Sequence, residues 1–315
     1  MERMEKLGAG RTPAGLQPRL RTYGRRVYQA RMAYLFLLPA YLLMLVFLAY
    51  PLVRSLLLSM YEWNGINRPE FVGLENFRRI ITEDDTFYQA LKNNVIFSVL
   101  TTGGTVILGF LLALSIERRV RGWNLFKVIY FLPVMMSSTV VGLLWGRLFD
   151  PTYGPINALA RSLGWANPPV WLGSPGVALY AIIVVTIWQY AGFPMIMFLS
   201  AIENIPLDIN DAATLDGVTW WQRALRVTLP LVMHVVLVMV MVQLIFSFKV
   251  FDIIWAMTSG GPGGATTVLG IYLYRSAFEF TEFGYGSAVA VLMFIIIFVM
   301  STVYLRLFRP DQIEY

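Results

Sequence analysis

Six long runs of apolar residues, each nearly free of charge, dominate the sequence. A membrane-spanning helix needs about 20 mostly apolar residues in succession, and each run is long enough. Apolar residues make up 57% of the 315 residues and charged residues only 14%, against about 25% charged in an ordinary soluble domain. The sequence therefore predicts an all-α integral membrane protein with six transmembrane helices. The expected spans are approximately 33–53, 94–116, 128–148, 177–201, 229–250 and 285–305.

The distribution of basic residues predicts how these spans are oriented. An even number of spans puts both ends on one side, and the segments on that side hold most of the 25 Lys and Arg residues. Because basic residues concentrate in cytoplasmic segments, we expect both termini in the cytoplasm. The chain then divides into a cytoplasmic tail (1–32), a six-helix membrane domain (33–305) and a second cytoplasmic tail (306–315). Membrane topology and anionic lipid account for the net charge of +6, so we expect no nucleic-acid partner.

Several kinds of chemistry are excluded by residues that the sequence lacks. It contains no cysteine, which excludes disulfides, thiolate metal sites and a cysteine nucleophile. Its one histidine, His234, leaves little room for zinc ligation or acid–base catalysis by histidine. A Gly-x-x-x-x-Gly-Lys-Ser/Thr phosphate loop is also missing. We therefore expect no catalytic residues, no metal site and no cofactor bound by this chain.

The segment 202–228 is unusually long for a connection between membrane helices. Pro206 is suited to a first helical turn, and Asp208 and Asp211 follow where the helix dipole favours acidic residues. Gly217 can adopt the left-handed conformation that ends a helix, and Thr219 can cap a second one. The segment therefore predicts a helix, a glycine bend and a second helix. An amphipathic hairpin lying on lipid fits the same pattern.

The run 211–218, which reads DAATLDGV, is followed after eight residues by Val227-Thr228-Leu229-Pro230. This pattern resembles the EAA loop of ABC importer permeases, and the chain as a whole is most similar to the maltose-type sugar permeases. Further matches lie at 71–77 (FVGLENF), 131–133 (FLP), 258–262 (TSGGP) and 283–288 (FGYGSA). Two residues depart from the family pattern: Asp211 replaces the usual Glu, and Val218 replaces the usual Ala.

The resemblance implies the type I ABC importer permease fold and a location in a bacterial or archaeal cell (inner) membrane. It also implies partners: a second, related permease subunit, a pair of ATPase subunits that carry the ATP and Mg, and an extracellular solute-binding protein. In this family the EAA loop docks on an ATPase subunit. The residues expected to take part are Asp211, Ala212, Ala213, Asp216, Gly217 and Val218.

Two helical faces are candidates for the solute pathway. Polar residues within a span indicate a cavity or a packed interface, and positions i, i+3, i+4 and i+7 share one face of a helix. By resemblance, these positions contact sugar in the maltose-type permeases, although hydrogen bonding between membrane helices explains the same residues. The fourth span contributes Thr186, Gln189, Tyr190 and Phe193, and the fifth contributes Gln243, Phe246, Ser247 and Val250.

The resemblance implies one permease subunit of an ATP-driven sugar importer, and two alternatives stay open. One is an importer for glycerol phosphate or another polar solute, for which we expect Lys or Arg in the cavity. The other is a secondary transporter, for which we expect ionisable groups at mid-membrane. Lys249 and Asp252, one turn apart, are interpreted as structural residues that either pair with each other or extend their charges to water. The glycine-rich turn 260–264 is interpreted as a flexible outer loop that meets the binding protein.

Overall fold

The computed structural model describes residues 31–117 and 122–308, which are mostly helical. The chain forms two compact units, one ending at Arg54 and the other beginning at Ser55. The described part of the first unit contains α1 (Arg31–Met44), a π-helical turn (Leu45–Ala49) and the beginning of α2 (Tyr50–Leu58). Of the two predicted cytoplasmic tails, only residues 31–32 and 306–308 are among the described residues.

The second unit begins with a small antiparallel pair, β1 (Tyr61–Glu62) and β2 (Glu70–Phe71), followed by α3 (Glu75–Thr82). The strand pair departs from the predicted all-α fold. Its turn is formed locally, because the Asn64 side chain accepts hydrogen bonds from the backbone N–H groups of Ile66 and Asn67 at 3.1 and 2.9 Å. Asparagine favours such turns since its short side chain replaces a backbone acceptor.

The longest described helix, α4 (Asp85–Glu117), contains 33 residues and carries the second predicted span. It begins well before the expected start at 94. The carboxylate of Asp84 accepts the backbone N–H of Phe87 at 3.0 Å, and such an acceptor stabilises a helix N-terminus. The outer end of α4 is therefore set by a cap that precedes the apolar run.

The middle of the second unit consists of helices interrupted by sharp bends. Three pairs of neighbouring helices are bent by 97°, 41° and 74° at short breaks. They are α5 (Trp123–Phe131) with α6 (Ser138–Leu148), α8 (Pro175–Tyr190) with α9 (Gly192–Glu203), and the segment from α11 (Trp220–Arg223) to α12 (Leu229–Leu231) with α13 (Met233–Phe248). A 3₁₀ turn (Leu132–Met135), a π-helical turn (Ala224–Thr228), α7 (Pro155–Ser162) and α10 (Leu207–Leu215) complete this region.

Before the last helix, the end of the second unit packs against α3 and the N-terminal part of α4. It comprises α14 (Asp252–Thr258), α15 (Leu269–Tyr274), a π-helical turn (Arg275–Glu279) and α16 (Phe283–Leu307). In the described residues, three helices are long and apolar enough to cross a membrane, and the three bent pairs qualify if each pair is one span. Each predicted span falls on one of these helices or pairs, except that the fifth runs two residues past Phe248.

Helices α8, α9 and α13 of the second unit all pack against α4. Two buried clusters lie along it, one around Phe97 and Ile182 and the other around Phe110 and Phe198. The backbones approach closely: a Cβ added to Gly109 would lie 2.9 Å from the Met195 nitrogen. Small residues permit such approaches between membrane helices, where van der Waals packing holds the structure together.

Candidate functional site

A cavity of about 470 Å³ opens in the second unit beside α4. Its wall combines hydroxyl and amide groups with aromatic rings and contains one cation, Lys249, and one anion, Asp252. Such a mixture of apolar surface and a few placed polar groups is typical of sites for small molecules. The polar lining residues are Thr101, Thr102, Thr105, Ser138, Thr186, Tyr190, Gln243 and Ser247, and the Phe residues are Phe97, Phe193, Phe246 and Phe251.

The two predicted pathway faces converge on this cavity. From α8 and α9 the wall receives Thr186, Tyr190 and Phe193, and from α13 and the residues after it Gln243, Phe246, Ser247 and Val250. Gln189 is the exception. It is fully buried, and its amide nitrogen donates to the Met136 carbonyl at 3.1 Å and to the Ser138 hydroxyl at 3.4 Å. Gln189 therefore joins α8 to the bend before α6 and does not line the cavity, while substrate contact by the other seven stays a prediction.

Sequence reasoning missed one wall of the cavity, which α4 supplies. Thr101, Thr102 and Thr105 lie on one side of this helix and line the cavity together with Phe97. The cluster of threonines within this apolar run is the sequence signal that indicates this wall. The predicted pathway faces include only residues of the fourth and fifth spans.

Lys249 and Asp252, interpreted from the sequence as structural residues, also lie in the cavity wall. Both are exposed, and the salt bridges found across residues 31–117 and 122–308 do not include a Lys249–Asp252 pair. Lys249 follows the C-terminus of α13, and Asp252 begins α14. Each charge therefore lies at the helix end whose dipole favours it.

The connector between α9 and α13 has the predicted helix–bend–helix form. Helix α10 ends at Leu215, and Gly217 follows with φ of +68°, a conformation that costs other residues about 1–2 kcal/mol. A capping box then starts α11: the Thr219 N–H donates to the Gln222 side chain at 2.7 Å, and the Gln222 N–H donates to the Thr219 hydroxyl at 3.4 Å. The bend is thus fixed by local backbone chemistry. Asp208 lies in the first turn of α10, whereas Asp211 lies mid-helix, beyond the reach of the helix dipole that was expected to favour it.

The residues predicted to dock on a partner do not all face outward. Ala213 is only 7% exposed and is turned into the chain's own core. Asp211, Ala212, Asp216, Gly217 and Val218 are exposed. Next to them, Leu215 is 88% exposed. Leu215 and the neighbouring Asp211 and Asp216 therefore lie on the solvent-exposed side of the connector.

A salt bridge joins this connector to the C-terminal end of α4. The Arg223 guanidinium of α11 donates to the Glu117 carboxylate at 2.5 Å, and the two side chains are 25% and 16% exposed. The second carboxylate oxygen of Glu117 is buried without a hydrogen-bond partner among the described residues. Since α4 also forms a wall of the cavity, one helix contacts both the cavity and the connector.

The glycine-rich turn 260–264 is tied down by many hydrogen bonds, in contrast to the flexible loop expected. The Thr267 hydroxyl donates to the Gly260 carbonyl at 3.0 Å, and the Thr266 hydroxyl donates to the Gly261 carbonyl at 2.7 Å. Asn93 of α4 reaches the carbonyls of Gly264 and Thr267 at 3.3 and 2.9 Å. The turn is therefore held against the N-terminal half of α4.

A second contact at the N-terminal end of α4 involves two buried tyrosines. The hydroxyls of Tyr272 and Tyr285 both donate to the carboxylate of Asp84. Burial, together with the hydrogen bond to Asp84, raises the pKa of Tyr272 to about 12. Tyr272 therefore remains a donor at physiological pH, and the two tyrosines join α15 and α16 to the cap of α4.

The chain is 35% identical over 273 residues to a probable ABC transporter permease protein of Pyrococcus horikoshii, covering 86% of this chain and 93% of that protein. It is 31% identical over 286 residues to the trehalose/maltose transport system permease protein MalF of Thermococcus litoralis, covering 90% of this chain and 96% of that protein.

A solved structure shares both the fold and part of the sequence. It is the crystal structure of a bacterial ABC transporter involved in the import of the acidic polysaccharide alginate. A chain of it superposes with a TM-score of 0.79 and 25% identity, over 91% of this chain and 98% of that chain. This likeness confirms the predicted type I ABC permease fold.

Residues 105–312 match the family described as the binding-protein-dependent transport system inner membrane component. This region includes the whole connector and most of the cavity wall. Together with the relatives it confirms the resemblance inferred from the EAA-like run. The chain is a multi-pass membrane permease and belongs to the family of inner membrane components of binding-protein-dependent transport systems.

Proposed function

We propose that this chain is one permease subunit of an ATP-driven importer for a neutral sugar. Each bent helix pair counts as one span, which gives six spans with both termini in the cytoplasm, in agreement with the positive-inside distribution. The chain forms half of the translocation pathway, and a second permease subunit completes it. The similarity to a trehalose/maltose permease supports a sugar as the solute.

The cavity beside α4 is the observation that carries this proposal. Its amide and hydroxyl groups can pair with sugar hydroxyls, while Tyr190, Phe193 and Phe246 offer apolar faces against which a sugar ring can lie. The lining groups come from α4, α8, α9 and α13, so a solute in the cavity contacts several helices at once.

The charges in the cavity favour a neutral solute over an anionic one. Lys249 is matched by Asp252, so the formal charges of the lining residues cancel. A site for phosphate ordinarily presents several cationic or N–H donors without a competing carboxylate. Transport of glycerol phosphate, an alternative left open by the sequence, is therefore disfavoured.

Coupling to ATP requires partners, and the connector is the element we assign to it. Gly217 permits its bend, the capping box fixes the start of α11, and the exposed side of the connector carries Ala212, Leu215 and Asp216. A stiff connector transmits a displacement that a loose loop would absorb. Two ATPase subunits, which hold the ATP and Mg, and an extracellular solute-binding protein complete the assembly.

Uptake by cells that express the complete transporter tests the proposal. The probes are radiolabelled glucose, maltose and trehalose, with glucuronate and glycerol 3-phosphate as anionic comparisons. We expect uptake of at least one neutral sugar, dependence on ATP, and persistence when a protonophore collapses the proton gradient. Uptake of the anions alone would contradict the neutral-sugar assignment, and uptake that fails with the proton gradient would indicate a secondary transporter.

A matched pair of variants links uptake to the cavity. Phe246 and Phe294 are both exposed phenylalanines on membrane helices, 60% and 52% exposed, but only Phe246 lines the cavity. Phe246→Ala should reduce uptake at least several-fold, and Phe294→Ala should leave it near the wild-type rate. Equal effects of the two substitutions would count against the cavity as the pathway.

A further inference from the structure

We propose that Thr105 is a positioning residue that fixes the Gln243 amide with its oxygen toward the cavity, so that the cavity recognises hydroxyl donors on the solute. This inference rests on the proposed function and deepens it, because it names the group that the site selects. It assigns a role to the wall of α4, whose residues were not among the predicted pathway residues.

The first step is the contact between α4 and α13. The Gln243 Nε2 atom donates to the Thr105 hydroxyl oxygen at 3.0 Å. Both residues line the cavity and both are buried, Thr105 to 1% exposure and Gln243 to 7%. A buried polar side chain without a partner is costly, so this hydrogen bond is a strong constraint on the orientation of the amide.

The second step is the direction of that hydrogen bond. A threonine hydroxyl has one proton and two lone pairs. The Thr105 hydroxyl lies 2.7 Å from the Thr101 carbonyl and 3.1 Å from the Thr102 carbonyl, both of which can only accept. Its proton therefore goes to the helix backbone, as is common for threonine within a helix, and its oxygen can only accept from Gln243. The amide must then present its NH₂ group to Thr105.

The third step concerns the other end of the amide. The Oε1 atom of Gln243 is offered no hydrogen bond by the residues that the structure describes, yet it is not among the side-chain atoms sealed from solvent. Since Gln243 lines the cavity, this oxygen is an accessible acceptor at the wall. A solute hydroxyl or N–H can donate to it, whereas a phosphate or carboxylate oxygen cannot.

Three other hydroxyls in the wall follow the same rule. Each donates its proton to a backbone carbonyl of its own helix and keeps its lone pairs for a solute. These are Thr101 to Phe97 at 2.6 Å, Thr186 to Ile182 at 2.8 Å and Ser247 to Leu244 at 3.0 Å. This part of the wall therefore presents acceptors, which suits a solute rich in hydroxyl protons and gives a second reason for rejecting acceptor-only anions.

Thermal unfolding of the purified transporter without sugar tests the hydrogen bond itself. Thr105→Val removes the hydroxyl at nearly constant shape and leaves the buried amide unpaired, and we expect Tm to fall by about 2–4 °C. Thr105→Ser restores the acceptor and should recover most of that loss. The double variant Thr105→Val/Gln243→Leu should be no less stable than Thr105→Val alone, because neither polar partner is then left behind. If the double variant loses as much Tm as Thr105→Val and Gln243→Leu lose together when measured singly, the assigned contact is overturned.

Solute discrimination tests the positioning role, which a purely structural bond would not affect. The probes are the sugar from the uptake panel that is transported and its analogues with one hydroxyl replaced by fluorine, which can no longer donate. For one position we expect the wild-type protein to prefer the hydroxyl about tenfold or more in kcat/KM. In Thr105→Val the amide can rotate, and this preference should fall toward unity, while Thr105→Ser keeps it.

Two outcomes separate this inference from the proposed function. If no sugar in the panel is taken up, the proposed function fails, and the unfolding series still decides whether Thr105 holds Gln243. If a sugar is taken up but Thr105→Val discriminates against every fluorinated analogue as the wild type does, the positioning role is overturned and the sugar assignment stands.

Discussion

The salt bridge between Arg223 and Glu117 should determine how well ATP hydrolysis is coupled to transport. The two charged groups approach to 2.5 Å where the connector meets α4, and they are only 25% and 16% exposed. Breaking a fully buried pair costs about 3–5 kcal/mol. Because water reaches part of this one, we expect Arg223→Ala to cost about 2 kcal/mol, the range of a hydrogen bond to a charged group.

That cost predicts a specific functional defect. About 2 kcal/mol corresponds to a roughly thirtyfold shift in the equilibrium between fastened and detached connector. A detached connector no longer moves α4, so sugar uptake should fall several-fold while ATP hydrolysis by the purified transporter continues. The measured quantity is the amount of sugar moved per ATP hydrolysed in proteoliposomes.

Arg226 offers a matched control three residues further along the same segment. It is exposed, and the ion pairs found in the described parts of the chain do not include it. Arg226→Ala should therefore leave coupling unchanged, and the charge exchange Arg223→Glu/Glu117→Arg should restore part of what Arg223→Ala loses. If the Arg223→Ala and Arg226→Ala variants move the same amount of sugar per ATP hydrolysed, the role assigned to the Arg223–Glu117 salt bridge is wrong.

Three further predictions concern the backbone and the outer end of α4. Gly217→Val should abolish uptake but leave the protein inserted in the membrane, because a β-branched residue at φ of +68° is strained; normal uptake would show that the bend is not needed. Gly109→Ala should lower Tm by about 4 °C, since the added carbon would lie 2.9 Å from the Met195 nitrogen, whereas Gly103→Ala meets nothing within 4 Å and should not; equal Tm values would contradict the packing. The pKa of Tyr272 is raised from 10.0 to about 12, so its hydrogen bond to Asp84 is complete below pH 10.0 and is lost as the pH rises through about 12. Wild-type Tm should therefore fall more steeply over that interval than Tm of Tyr272→Phe, and parallel curves would contradict the assignment.

The positions of the spans could be read from the sequence because apolarity over about 20 residues is a local property. The bends within them could not. The 74° bend before α13 and the 97° bend before α6 depend on how each half packs against other helices. Pro133 lies in the 3₁₀ turn between α5 and α6, but a proline alone does not fix the angle of the bend.

The connector shows the same division between local and tertiary information. Gly217 and Thr219 carry specific backbone signals, and the bend and the cap follow from them. Which alanine of α10 faces inward depends on the rotation of that helix about its axis. The structure turns Ala213 into the core and leaves Ala212 outside, and the sequence pattern did not distinguish them.

The cavity was predicted only in part because it is assembled from distant segments. Gln243 was a candidate, yet its partner Thr105 lies 138 residues away in the sequence. From the sequence alone, a threonine in an apolar span gives no indication of its hydrogen-bond partner, because the opposing helix is not known. The polarity of the site, which depends on where each hydroxyl proton goes, emerges only from the hydrogen-bond network.

Site-specific cross-linking of the connector tests the central claim most directly. The protein has no cysteine of its own, so single cysteines give unambiguous labels. Leu215→Cys, at a position 88% exposed, should cross-link to an ATP-hydrolysing subunit in the gently solubilised transporter, whereas Ala213→Cys, at a position 7% exposed, should not. Failure of Leu215→Cys and of its exposed neighbour Ala212→Cys to reach any such subunit would contradict the account.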